Sequence, residues 1–329
     1  MQFNENKIRK YCKNKPGMML TLAMHEKGAD TIKSFGNNGI PVAPEYRAYE
    51  IGSVSKVVLS TLLAKCVEEN MLSLSNTIDQ YIDLPPGIAY PSLLQLATHT
   101  SGYSDPALFD SFFEAVSWSL SSSKRQFNPF DDFKSDWIVS AIIDASRKQK
   151  KGKGRFRYSN FGYSVLGHTL GKALGGSYRD CITSFIENDL GLSATSCNSG
   201  KMDMVHGFKK GNDYGNWEWS EDSAYAPAGC ICSNAADMIA FAKMNLYDER
   251  SYLTFSHRKQ HSDRLLDIGL GWVIEKDDDI VWHNGRTGLF HTFLAFSKSK
   301  KRAIALLSNC VNGLSMPEDK LALSILKSD

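Results

Sequence analysis

The sequence lacks any stretch that reads as membrane-spanning: residues 18–24 form an apolar run far shorter than the ~20 residues a spanning helix needs. Its start, Met1-Gln2-Phe3-Asn4-Glu5-Asn6, lacks the basic segment and apolar core of a secretion signal, so the expected location is the cytoplasm, or outside the cell for a trimmed mature form. Excess charge of one sign is missing too. With 38 Lys and Arg against 36 Asp and Glu, the net charge of +2 argues against nucleic acid as a partner, and no membrane partner is expected. The seven cysteines are odd in number and scattered, which suits reduced thiols rather than a disulfide framework. His257 and His261 stand one helical turn apart, but there is no H-E-x-x-H and no nearby third ligand, so neither metal nor organic cofactor is expected. Internal repeats and long low-complexity linkers are absent as well.

What is present is an ordinary globular composition, 42% hydrophobic and 22% charged over 329 residues, enough for one large or two smaller domains. A short helix is expected over residues 5–14. Strands are expected over 18–26 and 30–35, joined by Lys27-Gly28, and over 46–51. Residues 75–221 change character, with helical stretches at 92–98, 136–146, 161–174 and 178–189. A helix at 235–246 then precedes four strand candidates, 269–275, 280–283, 290–296 and 303–309, whose polar turns favour an antiparallel meander. A last helix covers 318–326. This order predicts an α/β (α+β) architecture in two parts: a discontinuous sheet domain, 1–75 with 222–329, and an α-rich domain, 76–221, with a cleft between them.

Ser53 and Lys56 lie three residues apart in Ile51-Gly52-Ser53-Val54-Ser55-Lys56, where a polar turn meets a long apolar run. Both then share one helical face, and a serine hydroxyl needs an adjacent base, which a lysine supplies only when its pKa is pulled down. Two other S-x-x-K triplets occur, Ser121 to Lys124 and Ser297 to Lys300, in a Ser-rich stretch and a charged turn. Neither opens a buried helix. After Ser53, by contrast, Val54, Val57, Val58, Leu59, Leu62, Leu63, Cys66 and Val67 cover most of a helix circumference, as in a helix packed inside a domain.

Two further segments complete a pattern. Tyr158-Ser159-Asn160 lies well downstream, and His283-Asn284-Gly285 lies on a late strand; each is weak alone, since a second Y-x-N stands at Tyr214-Gly215-Asn216. In this order, S-x-x-K, Y-x-N and H-x-G make the chain resemble the serine β-lactamase and penicillin-binding-protein superfamily, in particular its class C branch, which also contains D,D-peptidases and esterases. Leu93-Leu94-Gln95-Leu96-Ala97-Thr98-His99-Thr100-Ser101-Gly102, Pro227-Ala228-Gly229, Ser233-Asn234-Ala235-Ala236-Asp237-Met238 and Leu307-Ser308-Asn309 extend the likeness over nearly the whole chain.

The resemblance implies a β-lactamase/transpeptidase-like fold, with an antiparallel sheet built from both termini, and a serine hydrolase working through an acyl-serine. Ser53 would attack a carbonyl, Lys56 and Tyr158 would share the proton traffic, and which of them is the base stays open at this point. Asn160 would orient Lys56 and bind a substrate amide. The backbone N–H groups of Ser53 and Arg286 would form the oxyanion hole, with Gly285 leaving room for the acyl group and His283 facing substrate. Many relatives carry Lys where this chain has His283, and the His form is common in the esterase and peptidase relatives, which weakens a dedicated β-lactamase reading. The expected partner is a small amide, an ester or a short peptide, and nothing in the sequence indicates the oligomeric state. The rival readings are an acyltransferase or cyclase using the same acyl-enzyme, and a penicillin-binding sensor with little turnover. The seven basic residues from Arg147 to Arg157 read as a solvated loop or a lure for a substrate carboxylate; Trp217, Trp219 and Tyr225 read as cleft rim or as core.

Overall fold

The computed structural model describes residues 5–105, 126–148, 154–311 and 317–328; the Ser121 to Lys124 triplet and residues 149–153 of the basic run lie outside them. Strand β1 (Leu20–Glu26) pairs antiparallel with β2 (Ala29–Phe35) on one side. On its other side it pairs with β13 (Arg302–Ser308), from Leu20 opposite Ser308 to Glu26 opposite Arg302. The two ends of the chain thus share one sheet. Its full order is β3-β2-β1-β13-β12-β11-β10-β9-β8, where β3 is Pro41–Val42, β8 is His261–Ser262, β9 is Leu266–Ile268, β10 is Val273–Glu275, β11 is Ile280–Thr287 and β12 is Phe290–Ser297.

The central strands are apolar on both faces because both faces are covered. Leu20, Leu22, Phe293, Ile304 and Leu306 pack against helix α1 (Glu5–Cys12) and the terminal helix (Pro317–Leu326). Alternate residues, Ala23, Leu294, Phe296, Ala305 and Leu307, join the core that continues into the helical half. There helix α2 (Ser55–Glu68) is buried almost all round from Ser55 to Ala64. It packs against the helix Ser251–Ser256, the helical turn Ala226–Gly229 and α5 (Asn160–Ala173); α3 (Leu93–Ala97), α4 (Trp137–Lys148) and α6 (Tyr178–Ser184) belong to the same helical half, α3 and α6 packing on α5. A small hairpin, β5 (Gly207–Lys209) with β6 (Asn212–Gly215), lies against the sheet: Phe208 N–H donates to Asn309 O at 2.9 Å. No helix among the described residues is long and apolar enough to cross a membrane.

Several boundaries differ from those expected of the sequence. Strand β11 does not stop at His283 but runs to Thr287, because its pairing with β12 continues through Asn284, Gly285 and Arg286 to Thr287 opposite Phe290. The expected strand 269–275 is a strand only from Val273, since Gly271 sits at φ +76° and bends the chain before it. The helix beginning at Tyr178 changes to a wider π turn over Phe185–Leu190. Strands β3, β8 and β9 and the β5–β6 hairpin are too short to leave a periodic signal. Cys232 begins a two-residue strand, β7 (Cys232–Ser233), while Cys230 follows a helical turn, α7 (Ala226–Gly229).

Trp272 ties the helix at 235–246 to the sheet: it is fully buried, stacked on Phe241 at 6.2 Å and edge-on to Phe296 at 5.6 Å. Trp272→Ala should therefore destabilise the protein by about 3–5 kcal/mol, read from the shift of the urea unfolding midpoint at unchanged slope.

Candidate active site

Ser53 stands in a single tight turn, Gly52–Val54, that leads directly into α2. The turn is held from behind: β4 (Tyr49–Glu50) pairs with β7, and Ile51 N–H donates to Ile231 O at 3.1 Å. Lys56, one turn into the same helix face, is completely buried, and its Nζ lies 2.8 Å from Ser53 Oγ, 2.9 Å from Asn160 Oδ1 and 2.6 Å from Ala228 O. Burial pulls the Lys56 pKa down to about 7, against the opposing pull of the Asp105 carboxylate. As an ammonium it donates to all three oxygens. As a neutral amine it keeps two N–H donors for Asn160 and Ala228 and turns its lone pair to the Ser53 hydroxyl.

Tyr158 donates its hydroxyl to Ser53 Oγ at 2.7 Å. Tyr158 is 42% exposed, and desolvation pushes the pKa of its hydroxyl up, so the phenol stays neutral. His99 backs the ring at 4.5 Å between centroids and accepts the Ser159 N–H on Nδ1 at 3.1 Å. Burial holds His99 neutral, and the chain turns there through φ +57°. The helix α5 that carries Asn160 is capped twice. Ser159 Oγ accepts from Gly162 N–H at 2.8 Å, and Asp105 accepts from Asn160 N–H at 3.3 Å and Phe161 N–H at 2.5 Å. Tyr158 and Asn160 therefore flank a fixed helix start.

The third wall is β11. A Cβ on Gly285 would overlap the Ile51 carbonyl oxygen and lie 2.9 Å from Ser53 N, and one on Gly52, which sits at φ +52°, would lie 2.6 Å from Arg286 N. The strand thus rests directly on the Ser53 turn, with the Arg286 N–H beside it. His283, two residues earlier on the same strand face, is buried, and its Nδ1 donates to Asn284 O at 2.5 Å. Burial and the Lys56 charge lower its pKa to about 3, so it is a neutral ring. The opposite strand face carries Asn284, which donates to Asp319 Oδ2 at 2.7 Å, and the Arg286 side chain, whose charge acts with that of Glu318.

The structure brings Ser53, Lys56, Tyr158, Asn160, His283, Gly285 and the Arg286 backbone together; the Arg286 guanidinium faces away. Trp217 and Tyr225 are buried and pack with Phe130, Phe133 and Trp137, so they are core rather than rim. Asp105 and the Ala228 carbonyl were not foreseen as site groups. Pro227-Ala228-Gly229 is visible in the sequence, but nothing in side-chain chemistry announces a backbone acceptor.

The family model for Beta-lactamase matches residues 26–326, and the chain belongs to that family. It is 27% identical over 242 residues to a Beta-lactamase of Providencia stuartii, covering 70% of this chain and 56% of that protein. It is 20% identical over 285 residues to Protein flp of Staphylococcus aureus strain MRSA252, covering 79% and 52%. The chain thus spans little more than half the length of these curated relatives. Among solved structures, the octameric penicillin-binding protein homologue from Pyrococcus abyssi superposes with a TM-score of 0.77 at 20% identity, over 98% of this chain and 74% of that one. A class C beta lactamase from Rhodobacter sphaeroides gives 0.76 at 19% identity, over 98% and 96%. At these identities the likeness to the solved structures establishes the fold alone: a mixed α/β structure with a large antiparallel sheet.

Because strand and turn touch through Gly285, Gly285→Ala should push β11 off the turn. The expected outcome is at least about a tenfold slower covalent labelling by a fluorophosphonate, with the far-ultraviolet circular dichroism unchanged.

Proposed function

We propose that this protein is a serine hydrolase that works through an acyl-serine on small esters and amides without a carboxylate beside the scissile bond. The observation that carries the reading is the buried Lys56 amine, within hydrogen-bond distance of Ser53 Oγ while two other acceptors occupy its N–H groups. With a pKa near neutrality, Lys56 takes the Ser53 proton as Oγ bonds to the substrate carbonyl carbon. The carbonyl oxygen becomes an oxyanion between the N–H groups of Ser53 and Arg286, an interaction whose single donors are worth about 100- to 1,000-fold in rate. The neutral Tyr158 phenol, already donating to Ser53 Oγ, passes a proton to the leaving alcohol or amine and is restored from Lys56. Water then retraces the route: it loses a proton towards Tyr158 and Lys56, attacks the acyl carbon and frees Ser53. Asn160 holds Lys56 in line throughout and presents an amide to the substrate.

The preference for uncharged substrates rests on His283. A lysine at that place would offer a cation to a substrate carboxylate, whereas a buried imidazole with its pKa near 3 offers none at neutral pH. The cation two positions beyond Gly285's neighbour Asn284, Arg286, points to the other strand face. Both facts favour ester and amide cleavage over recognition of β-lactams or D,D-peptides, which present a carboxylate.

Three outcomes test this. Ser53→Ala should abolish fluorophosphonate labelling and p-nitrophenyl ester turnover; labelling that survives removes Ser53 as nucleophile. Since only the neutral amine accepts the proton, kcat/KM for a neutral ester should climb as pH rises through about 7, with Lys56→Met lowering it by about 100-fold or more at every pH. His283→Lys should raise acylation by a penicillin relative to p-nitrophenyl acetate by at least about tenfold, measured by intact mass against time.

A further inference from the structure

Tyr158 lies in residues 156–159, a stretch that is neither helix nor strand, so no ladder or helical turn fixes it. One residue meets the backbone on both sides of it. His99 O accepts the Arg157 N–H at 2.8 Å, and His99 Nδ1 accepts the Ser159 N–H at 3.1 Å. The same imidazole lies 4.5 Å from the Tyr158 ring and 4.9 Å from the Tyr163 ring, tilted by 33° and 40°. Tyr163 is itself tied down, its hydroxyl donating to Ala97 O at 2.8 Å and lying 2.9 Å from Ser60 Oγ on α2. His99 follows the end of α3, whose start is closed by reciprocal hydrogen bonds between Ser92 and Gln95.

We propose that His99 is the positioning residue for Tyr158: its carbonyl and its Nδ1 hold the N–H groups on either side of the tyrosine, and its ring supports the phenol, so that the hydroxyl stays on Ser53 Oγ. This deepens the acyl-serine reading above and rests on it. Two features argue that an acceptor, rather than bulk, is what the imidazole supplies. Because Nδ1 accepts, the ring proton sits on Nε2, and that atom is buried with no hydrogen-bond partner among the described residues. A phenylalanine would fill the space without stranding a donor there, but it would leave the Ser159 N–H unmet. The second feature is the backbone, which stands at φ +57°, a region that most residues avoid and that His tolerates better. That turn brings the carbonyl to Arg157 and the ring to Ser159 at once. Burial keeps the ring unprotonated, as an accepting Nδ1 requires. The effect on the chemistry is confined to the steps that use the phenol, namely the proton given to the leaving group and the one taken from water.

His99→Asn and His99→Gly test this as a pair, since both residues accept a positive φ and only asparagine keeps an acceptor oxygen at the place of Nδ1. The readouts are kcat/KM for p-nitrophenyl acetate, whose leaving group departs without a proton, and for phenyl acetate, whose leaving group is as basic as a tyrosine side chain and gains from one. His99→Gly should lower phenyl acetate cleavage by about tenfold or more and p-nitrophenyl acetate cleavage by no more than about threefold, with His99→Asn recovering most of the difference. Added to Tyr158→Phe, His99→Gly should cost less than about twofold further, because its effect passes through the phenol. Amide hydrogen exchange, which does not depend on turnover, should show the Ser159 N–H losing protection in His99→Gly and keeping it in His99→Asn. His99→Phe, which fills the space without an acceptor, takes the place of His99→Gly if that variant unfolds. Equal losses on the two esters, no recovery in His99→Asn, a full further loss on top of Tyr158→Phe, or unchanged Ser159 exchange overturns the inference. A wild type that cleaves neither ester and takes no fluorophosphonate overturns the acyl-serine reading instead, and Ser159 exchange still reports whether His99 holds the chain beside Tyr158.

Discussion

A lysine amine with no contact with solvent sits at the centre of this molecule, and the arrangement around it follows from what such a group requires. A buried ammonium is tolerated only where its N–H donors are all met, and even then desolvation favours the neutral form. Lys56 meets these terms with oxygens from three separate elements: Ser53 in its own turn, Asn160 at the start of α5, and the Ala228 carbonyl from α7. Each of those elements must be held in place by contacts of its own. The α5 start is capped by Ser159 and Asp105, the Ser53 turn is tied through β4 and Ile51 to β7 and Ile231, and α7 leads straight into that same β7 segment.

The second constraint is a close approach of backbone to backbone. Gly52 and Gly285 lie where the Ser53 turn meets β11, and neither place has room for a Cβ. Gly52 also sits at positive φ, which a side-chain-bearing residue adopts only under strain. Two N–H groups thereby come to one side of Ser53 without any side chain between them. The sheet makes this possible at long range. Strand β11 is fixed through β12 and β13 to β1, so its position depends on pairing between residues at opposite ends of the chain.

The central strands and α2 were legible in the sequence for one reason: each is buried on more than one side, so its apolar residues crowd together instead of alternating sparsely. Ser53 and Lys56 stood out because they precede such a run, and Tyr158, Asn160 and His283 gained meaning from their order along the chain. The second half of β11 was not legible. Asn284-Gly285 favours a turn locally, and only the ladder to Phe293 and Thr292 overrides that preference. Asp105 and Ala228 were hidden for different reasons. One is a common carboxylate whose partners are backbone N–H groups far along the chain, and the other acts through a carbonyl that every residue possesses.

Charge economy ties the site to its chemistry. His99 and His283 are held neutral by burial, Tyr158 stays a phenol, and Glu50 holds its proton up to about neutral pH. Asp105, its own pKa raised by desolvation, is the acid whose charge acts on Lys56. This matters because a charge near Ser53 would bias Lys56 as strongly as it would attract a substrate. A second cation at position 283 would push the Lys56 pKa further down and recruit anions; a neutral ring leaves Lys56 governed by burial and Asp105. In the proposed mechanism substrate preference and the basicity of Lys56 share one electrostatic environment, in which a neutral His283 leaves the Lys56 pKa to burial and Asp105.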